Sequence, residues 1–280
     1  MSLVIGIDVG GSTTKIVGLE NGSCIKSPMN ITANDPITSL FGAFGKYLYD
    51  NNIALDMVDH VMLTGVGASR VTTPIYGLPT SHVDEFQADG MGARFASGLD
   101  RLIVVSMGTG TTLVRVDGDD ISHIGGISMG GGTLQGLSHL LLKTTDIGEV
   151  VEMATHGDTS HVNLQIKDIS NGDIEGLPMN ATASLFGKAV GGNANDQDIA
   201  KGLIYMVLET IGSCAVLSQV NSDFKDFVLI GNLTRLPECR IVFPMMDNLY
   251  GVRFHIPEHA RYCTALGAAL SYFKPMHQQE

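Results

Sequence analysis

The segment Asp8-Val9-Gly10-Gly11-Ser12-Thr13-Thr14-Lys15 brings glycines, hydroxyl side chains, one acid and one lysine together. Apolar stretches flank it, so we expect it to form the turn of a β-hairpin. Backbone N–H groups and hydroxyls in such a turn can bind a phosphate, Asp8 can hold Mg²⁺ through water, and Lys15 can add positive charge. Glycines that serve only the turn would give the same pattern, so this segment alone leaves both interpretations open.

A second segment of the same kind, Gly108-Thr109-Gly110-Thr111-Thr112, follows another apolar stretch. Two such loops facing each other could hold one polyphosphate from both sides, so the pair favours the phosphate interpretation. The sequence contains neither a P-loop motif nor a G-x-G-x-x-G motif between a strand and a helix. It therefore predicts nucleotide phosphates bound between two hairpin loops.

Two further glycine-containing segments are candidates for nucleotide contacts. Gly130-Gly131-Gly132-Thr133 precedes a predicted helix, and a helix N-terminus can bind an anion. Close packing of that helix onto a sheet would need the same glycines. Gly231-Asn232 follows a buried apolar stretch and fits a loop under an adenine, although an ordinary turn after a strand has the same composition.

Glu85, in the sequence HVDEF, is the candidate catalytic base. A kinase that acts on an alcohol needs a carboxylate to accept the hydroxyl proton during phosphoryl transfer. The alternative is structural, because acids are favoured in the first turn of a helix and Asp84 could be the cap of this one. Composition alone does not choose between the two.

Alternating strands and helices must position these residues. Strands are predicted at 3–8, 13–19, 23–26, 58–63, 78–83, 101–106, 111–116, 121–124 and 227–230, and helices at 36–51, 84–97, 146–156, 196–220 and 263–273, with a further helix ending at 142. Residues 4–26 and 103–124 share one plan of strand, glycine-rich turn, strand, hairpin and strand, which predicts a duplicated unit. We therefore expect two similar α/β lobes, 1–100 and 101–280, with a cleft between them.

Composition argues against several classes of protein. The chain is 44% hydrophobic and 16% charged, which is typical of a globular protein. A net charge of −12 without a run of Lys or Arg argues against nucleic acid and anionic membranes as partners. The N-terminus lacks a signal-peptide pattern, and Glu209 interrupts the longest apolar stretch, 202–220, so we expect a buried helix and no membrane span. The four cysteines are far apart, which predicts reduced thiols in the cytoplasm.

The chain resembles the type II pantothenate kinases from Ile5 to about Phe273. The matching segments are DVGGSTTKIV, VDEFQADGMG, VSMGTGTTLVRVDG, IGGISMGGGTLQGLSHLL, DIGEVVEMATHGD and VLIGNL. The most specific part is Glu85-Phe86 followed by GTGT and GGI…GGGT-x-Q-G-L. Sugar kinases and chaperone ATPases of the same superfamily share the first loop but not that set.

This resemblance implies an actin-like (ribonuclease H-like) fold with a nucleotide cleft between two lobes, and a homodimer. It also implies transfer of the ATP γ-phosphate to pantothenate with Mg²⁺, the first step toward coenzyme A. By position, Glu85 matches the base and Asp8 to Lys15 match the first phosphate loop. The resemblance assigns ATP contacts to Thr109, Gly131, Gly132, Thr133, Gln135 and Asn232, and a pantothenate contact to Thr112. In this family the partner subunit contributes to the pantothenate pocket, and feedback by CoA or acyl-CoA is common.

Three departures from the family pattern concern the acceptor side. His123 stands where the family usually has an arginine that contacts pantothenate, and a histidine lacks the bidentate fork of a guanidinium group. Arg94 or Arg115 could compensate. Gln87 replaces an acid, and residues 260–264 replace a glycine-containing stretch.

Two other functions therefore stay open. One is a kinase for another small alcohol, such as an amino sugar or a pantothenate analogue. The other is a nucleotide-binding regulator without catalysis, against which the presence of Asp8, Lys15 and Glu85 counts. ATPases that activate CoA-ester dehydratases need cysteines that bridge a cluster between subunits, and no cysteine lies at either glycine-rich loop here.

Overall fold

The computed structural model describes residues 2–11, 13–32, 35–172 and 174–273. The first part of the chain contains, in order, β1 (Leu3–Val9), β2 (Thr13–Glu20), β3 (Cys24–Ile25), β4 (Met29–Thr32), α1 (Pro36–Asp50), β5 (His60–Thr64), β6 (Thr80–His82) and α2 (Glu85–Ser97). The second part contains β7 (Arg101–Met107), β8 (Thr111–Asp117), β9 (Asp120–Ile127), α3 (Gly131–Leu142), α4 (Ile147–Thr155), β10 (Leu164–Gln165), α5 (Ile166–Ile169), β11 (Thr182–Ser184), α6 (Asp196–Leu217), β12 (Asp226–Ile230), α7 (Cys239–Tyr250), β13 (Arg253–His255) and α8 (Cys263–Phe273). Short 3₁₀ turns occupy Leu55–Met57, Val66–Arg70, Ile75–Gly77, Thr159–His161, Ala189–Gly191, Asn232–Arg235 and Ala260–Tyr262.

The two main sheets have the same strand order and the same strand directions. In the first, β3 and β4 pair with β2, β2 pairs antiparallel with β1, and β1 continues in parallel to β5 and β6. In the second, β9, β8 and β7 are antiparallel neighbours, and β7 continues in parallel to β12 and β13. The predicted duplicated unit is therefore present, and each copy also includes two parallel strands that the hairpin pattern did not contain.

Each sheet is covered by helices on both faces, which explains why β1 and β7 are apolar along most of their length. On the outer face of the first sheet, Phe44 and Tyr47 of α1 pack against Ile5 and Ile7. Helices α3, α4, α6 and α7 cover the outer face of the second sheet. The alternate residues of both sheets point to the inner faces, where α2 and α8 lie.

Helices α2 and α8 cross at glycines between the two sheets. A Cβ atom on Gly267 would lie 1.8 Å from the carbonyl oxygen of Ala88, and one on Gly92 would lie 1.8 Å from that of Cys263. Only glycine allows two backbones to approach this closely. Helix α8 also packs closely on the first sheet, because a Cβ atom on Gly6 of β1 would lie 2.0 Å from the carbonyl oxygen of Ala265. The last helix of the predicted second lobe thus packs on the first sheet. The division of the chain into the lobes 1–100 and 101–280 stays a prediction.

Among the described residues, six elements were not expected from the sequence: strands β4, β10, β11 and β13 and helices α5 and α7. Helix α7 contains Pro244, which interrupts the helical pattern in the sequence. The sequence favours Asp196 as the cap of the helix at 196–220, but the cap in the structure is Asn195: its side chain accepts a hydrogen bond from the backbone N–H of Asp198, and the Asp198 carboxylate accepts one from the N–H of Asn195. This reciprocal capping box makes Asp196 the first residue of α6.

Helix α6 is the one helix in the described part of the chain that is long and apolar enough to cross a membrane. Half of its most apolar window is buried inside the protein. Leu203, Val207 and Ile211 belong to the core between α6 and the second sheet. Its contacts are those of a core helix, in agreement with the interpretation of its sequence.

We expect Gly267→Ala to lower the free energy of unfolding by at least about 2 kcal/mol, since the new methyl group overlaps the carbonyl oxygen of Ala88 and one of the two helices must move. Urea unfolding followed by circular dichroism would measure the change. The control is Gly42→Ala in α1, where a Cβ atom meets nothing within 4 Å and a gain of roughly 0.5–1 kcal/mol is expected. Equal stabilities of the two variants would contradict this account of the helix crossing.

Candidate active site

A row of polar residues crosses the inner face of the first sheet, one from each of four neighbouring strands. Asp8 of β1 lies beside Lys15 of β2 and Thr64 of β5, and Lys15 lies beside Asn30 of β4. Lys15 Nζ donates to Asp8 Oδ2 at 2.7 Å, and both side chains are buried. The predicted acid and lysine of the first phosphate loop are therefore an ion pair at the bottom of the cleft.

The second sheet has an equivalent row that is neutral. Ser106 of β7 takes the position of Asp8, and Thr112 of β8 takes the position of Lys15, because each pair is matched in register across its hairpin. Ser106 shares a sheet face with Val104, which packs toward α2. The predicted pantothenate contact Thr112 thus lies on the inner face of the second sheet, which is covered by α2.

The two hairpin loops and the Asn232 turn meet across the cleft. The first loop is closed by a hydrogen bond from the N–H of Gly10 to the carbonyl oxygen of Thr13, and the Thr13 hydroxyl lies 3.2 Å from Asn232 Nδ2, which donates to it. A Cβ atom placed on Gly11 would lie 3.9 Å from the hydroxyl of Thr109. The structure therefore brings together the predicted contacts from both halves of the chain. Ser12 lies outside the described residues.

The glycines that precede α3 pack against the second loop. The N–H groups of Gly131 and Gly132 donate to the carbonyl oxygens of Gly108 and Thr109, both at 2.9 Å, and a Cβ atom on Gly130 would lie 2.5 Å from the Thr109 oxygen. Two donors that could have served an anion are thus used within the protein, which supports the packing interpretation of these glycines.

The other two predicted nucleotide contacts on α3 also have partners inside the protein. Thr133 accepts a hydrogen bond from Gly130 N–H at 3.3 Å, and Gln135 Nε2 donates to the carbonyl oxygen of Thr145 at 3.1 Å. Contacts of these α3 residues with a nucleotide stay a prediction.

Glu85 is the first residue of α2, and Asp84 is its cap. The Asp84 carboxylate accepts hydrogen bonds from the N–H groups of Phe86 and Gln87 at 2.9 and 3.1 Å. Glu85 itself is half-buried. Burial raises the pKa of Glu85 above its ordinary value, the charges of Asp8 and Asp84 raise it further, and Lys15 lowers it. A partly desolvated carboxylate beside the Asp8–Lys15 pair has surroundings that suit a general base, and the catalytic role of Glu85 stays a prediction.

His123 forms an aromatic stack with Phe86, the residue after Glu85. The two ring centroids are 4.1 Å apart with planes at 9°. His123 is exposed, and its strand neighbour Val114 shares a sheet face with Thr112, so the predicted acceptor contacts lie on one surface.

Both arginines considered above as replacements for the missing charge at His123 form ion pairs with acids. Arg94 pairs with Asp100 and Asp119, and Arg115 pairs with Asp120. Asp119 and Asp120 lie at the turn that joins β8 to β9, and Asp100 lies just before β7. Both guanidinium groups are therefore paired near that turn.

Three residues of the site were missed by sequence reasoning: Asp89, Ser106 and Thr264. Asp89 lies in α2 and is buried at 1% exposure, and Thr264 Oγ1 donates to Asp89 Oδ1 at 2.6 Å. A buried acid on an amphipathic helix has no local signature, and its partner lies 175 residues away in sequence.

Gln87, which departs from the family pattern, has a structural role, because Gln87 Nε2 donates to the carbonyl oxygen of Ile121 at 3.0 Å.

The fold is that of the actin-like ATPases and sugar kinases, with two lobes around a cleft. The activator of the 2-hydroxyisocaproyl-CoA dehydratase from Clostridium difficile with bound ADPNP aligns with a TM-score of 0.68 at 18% identity, covering 97% of this chain and 94% of that one. The ROK hexokinase from Thermus thermophilus aligns with a TM-score of 0.56 at 13% identity, covering 97% and 99%. At these identities the likeness establishes the fold alone.

The sequence identifies the family within that fold. The Fumble family model matches residues 101–271, and the chain belongs to the Fumble family. It is 28% identical over 276 residues to a type II pantothenate kinase of Staphylococcus epidermidis, covering 94% of this chain and 98% of that protein. It is 30% identical over 188 residues to a type II pantothenate kinase of Staphylococcus aureus, covering 65% and 66%.

We expect Asp84→Asn to move the acid limb of the pH profile of kcat/KM to lower pH by roughly 0.3–1 unit. Asparagine keeps the helix cap but removes a negative charge that raises the pKa of Glu85, so the base stays ionised further into acid. The control is Asp35→Asn, at the cap of α1, where the Asp35 carboxylate accepts from Thr38 N–H. A profile that does not move in Asp84→Asn, or that moves equally in both variants, would exclude Glu85 as the group titrating in that limb.

Proposed function

We propose that this protein phosphorylates pantothenate with ATP, giving 4'-phosphopantothenate, the first step of coenzyme A biosynthesis. The observation that carries the proposal is the position of Glu85 beside the Asp8–Lys15 ion pair, at the point where the loops of both sheets meet. Membership of the Fumble family and similarity to type II pantothenate kinases along nearly the whole chain support pantothenate as the acceptor.

The arrangement fits in-line phosphoryl transfer. The Glu85 carboxylate accepts the proton of the acceptor hydroxyl as that oxygen bonds to the γ-phosphorus and the bond to the β-phosphate oxygen breaks, releasing ADP. A raised pKa makes Glu85 a stronger base than an exposed glutamate. Lys15 supplies positive charge for the phosphates, and after transfer Glu85 returns its proton to solvent.

The residues present fit a magnesium ion at Asp8. Mg²⁺ keeps most of its water ligands and needs only one or two carboxylates, and Asp8 offers a single carboxylate at the end of β1. Bound there through water, the ion would neutralise charge on the phosphates of ATP.

On the acceptor side we assign Thr112 and His123 to pantothenate, and on the nucleotide side Gly10, Gly11, Ser12, Thr13, Thr109, Gly131, Gly132, Thr133, Gln135 and Asn232 to ATP. For Gly131 and Gly132 the contact is through atoms other than their N–H hydrogens, which the second loop uses. We further propose a cytoplasmic homodimer, with CoA or an acyl-CoA as a feedback ligand. The structural likeness to a dehydratase activator does not extend to its chemistry in this proposal: Cys239 and Cys263 are fully buried and Cys214 is partly buried, whereas a cluster bridging two subunits needs accessible cysteines.

The decisive experiment measures ADP release from Mg-ATP with pantothenate, N-acetylglucosamine, glycerol or no acceptor. Release that depends on pantothenate is expected. Release only with another alcohol would move the protein to a different kinase while keeping Glu85 as the base. ATP binding without acceptor-dependent release would instead favour a regulator.

Glu85→Gln is expected to lower kcat by about 10²–10⁴-fold, since the amide cannot accept the hydroxyl proton. The matched control is Glu20→Gln, which loses only an edge ion pair with Lys26 at 2.9 Å. Rapid-quench or coupled ADP assays at saturating ATP measure both variants. A Glu85→Gln enzyme with wild-type kcat would disprove the assignment of the base.

His123→Arg is expected to lower KM for pantothenate by about 3–10-fold, because an arginine stacked on Phe86 offers two charged donors to a carboxylate. We expect kcat to stay within about twofold, since the change affects binding of the acceptor and leaves the Glu85 carboxylate, which accepts the proton, in place. His156→Arg, exposed at the end of α4, adds the same charge elsewhere and serves as the control. An unchanged KM in His123→Arg would remove His123 from the acceptor site.

A further inference from the structure

Asp89 is an acid in the interior of the protein that the proposed reaction does not use. It lies one helical turn after Glu85 on α2, and its residue is 1% exposed. Burial raises the pKa of Asp89 to about 7, and the nearby charges of Glu85 and Asp8 act in the same direction. In the described part of the chain, no lysine, arginine or histidine forms an ion pair with it.

The Asp89 carboxyl group lies where three elements meet. Thr264 Oγ1, in the first turn of α8, donates to Asp89 Oδ1 at 2.6 Å. The hydroxyl of Ser106, at the end of β7, lies near enough to lower the pKa of Asp89 against the effect of burial. The carboxyl group therefore ties α2 to α8 by a hydrogen bond and lies beside the end of β7 in the second sheet, and we call this arrangement the bridge.

Each arm of this bridge leads to one half of the candidate site. Through α8 it reaches the first sheet, because Ala265, next to Thr264, is in backbone contact with Gly6 of β1, two residues before Asp8. Through Ser106 it reaches Thr112, the cross-strand neighbour of Ser106 on β8. Residues 85 and 89 lie on the same face of α2, so the bridge holds the turn that carries Glu85.

Packing alone does not explain an acid at this position. A buried carboxyl group without a cation lowers the stability of the fold relative to a neutral side chain of similar size. Holding a catalytic group in place can outweigh that loss of stability, because a displacement of about 1 Å can lower a rate by 10²-fold. A stability disadvantage next to a catalytic group points to a role in the reaction.

We propose that Asp89 is a positioning residue for Glu85: its buried carboxyl group, hydrogen-bonded to Thr264 and lying beside Ser106, fixes the first turn of α2 between the phosphate half and the acceptor half of the site. The inference rests on the proposed function, since it takes Glu85 as the base.

The test compares variants that break the bridge with variants that keep it. Thr264→Val removes the donor hydroxyl at constant volume, and Asp89→Ala removes the carboxyl group; each should lower kcat at least fivefold while KM for ATP stays within twofold. Thr264→Ser and Asp89→Asn keep a hydrogen-bonding group and should retain kcat within threefold. The double variant Asp89→Ala with Thr264→Val should lose no more than Asp89→Ala alone, because both changes break one interaction.

The control for a merely structural effect is Tyr47→Phe. It deletes a buried hydrogen bond, from the N–H of Gly18 to the Tyr47 hydroxyl at 2.7 Å, on the outer face of the first sheet. This variant should lower Tm without changing kcat at a temperature where it is fully folded. Ser106→Ala removes the hydroxyl group on the β7 side of Asp89 and leaves α8 unchanged. It should lower kcat at least twofold, and it provides the test if Thr264→Val does not fold.

The outcomes separate the two proposals. Wild-type kcat in folded Thr264→Val and Ser106→Ala, or additive losses in the double variant, would overturn the positioning role while leaving the proposed function intact. A wild-type protein that does not turn over pantothenate refutes the proposed function, and the same series is then measured with the alcohol that does support ADP release. If no alcohol supports release, Glu85 is not a base and the positioning role falls with it.

Discussion

The close crossing of α2 and α8 is the contact on which the arrangement of the two halves depends. At Gly92 and Gly267 the two backbones touch without side chains between them, and at Gly6 and Ala265 the second helix also touches the first sheet. Any larger residue would separate the layers by the width of a methyl group or more. Because α2 begins at Glu85, this spacing also decides how far the candidate base lies from Asp8 and from Thr112.

The two sheets have the same strand arrangement but different chemistry. In the first, the matched positions on the hairpin are occupied by a buried carboxylate and a buried ammonium group at 2.7 Å. In the second, the equivalent positions carry the hydroxyl groups of Ser106 and Thr112. A duplicated unit can thus provide a charged half suited to phosphates and a neutral half suited to an alcohol, with the candidate base Glu85 on the helix between them.

The electrostatics of the cleft explain how a protein with a net charge of −12 can be expected to bind a polyphosphate. Each acid has a partner: Asp8 is paired with Lys15, Asp84 accepts hydrogen bonds from two backbone N–H groups, and Asp89 accepts one from the Thr264 hydroxyl. Burial raises the pKa of Glu85, and the charges of Asp8 and Asp84 raise it further, which makes Glu85 a stronger base than an exposed glutamate. Two acids that are satisfied by partners of their own thus tune the group that would do the chemistry.

The sequence by itself determined turns, helix ends and helix caps, which depend on a few neighbouring residues. The Asn21-Gly22 turn has positive φ angles of 50° and 73°, helix 263–273 has the predicted bounds, and Asp84 caps the helix that begins at Glu85. Only the tertiary structure decided which residues meet, because contacts such as Thr264–Asp89 and Asn232–Thr13 join positions 175 and 219 residues apart. It also showed that the N–H groups of the glycines before α3 donate to the second loop, which the local sequence could not tell. Local patterns fix turns and helix starts, whereas the partner of a buried polar group depends on how the layers pack.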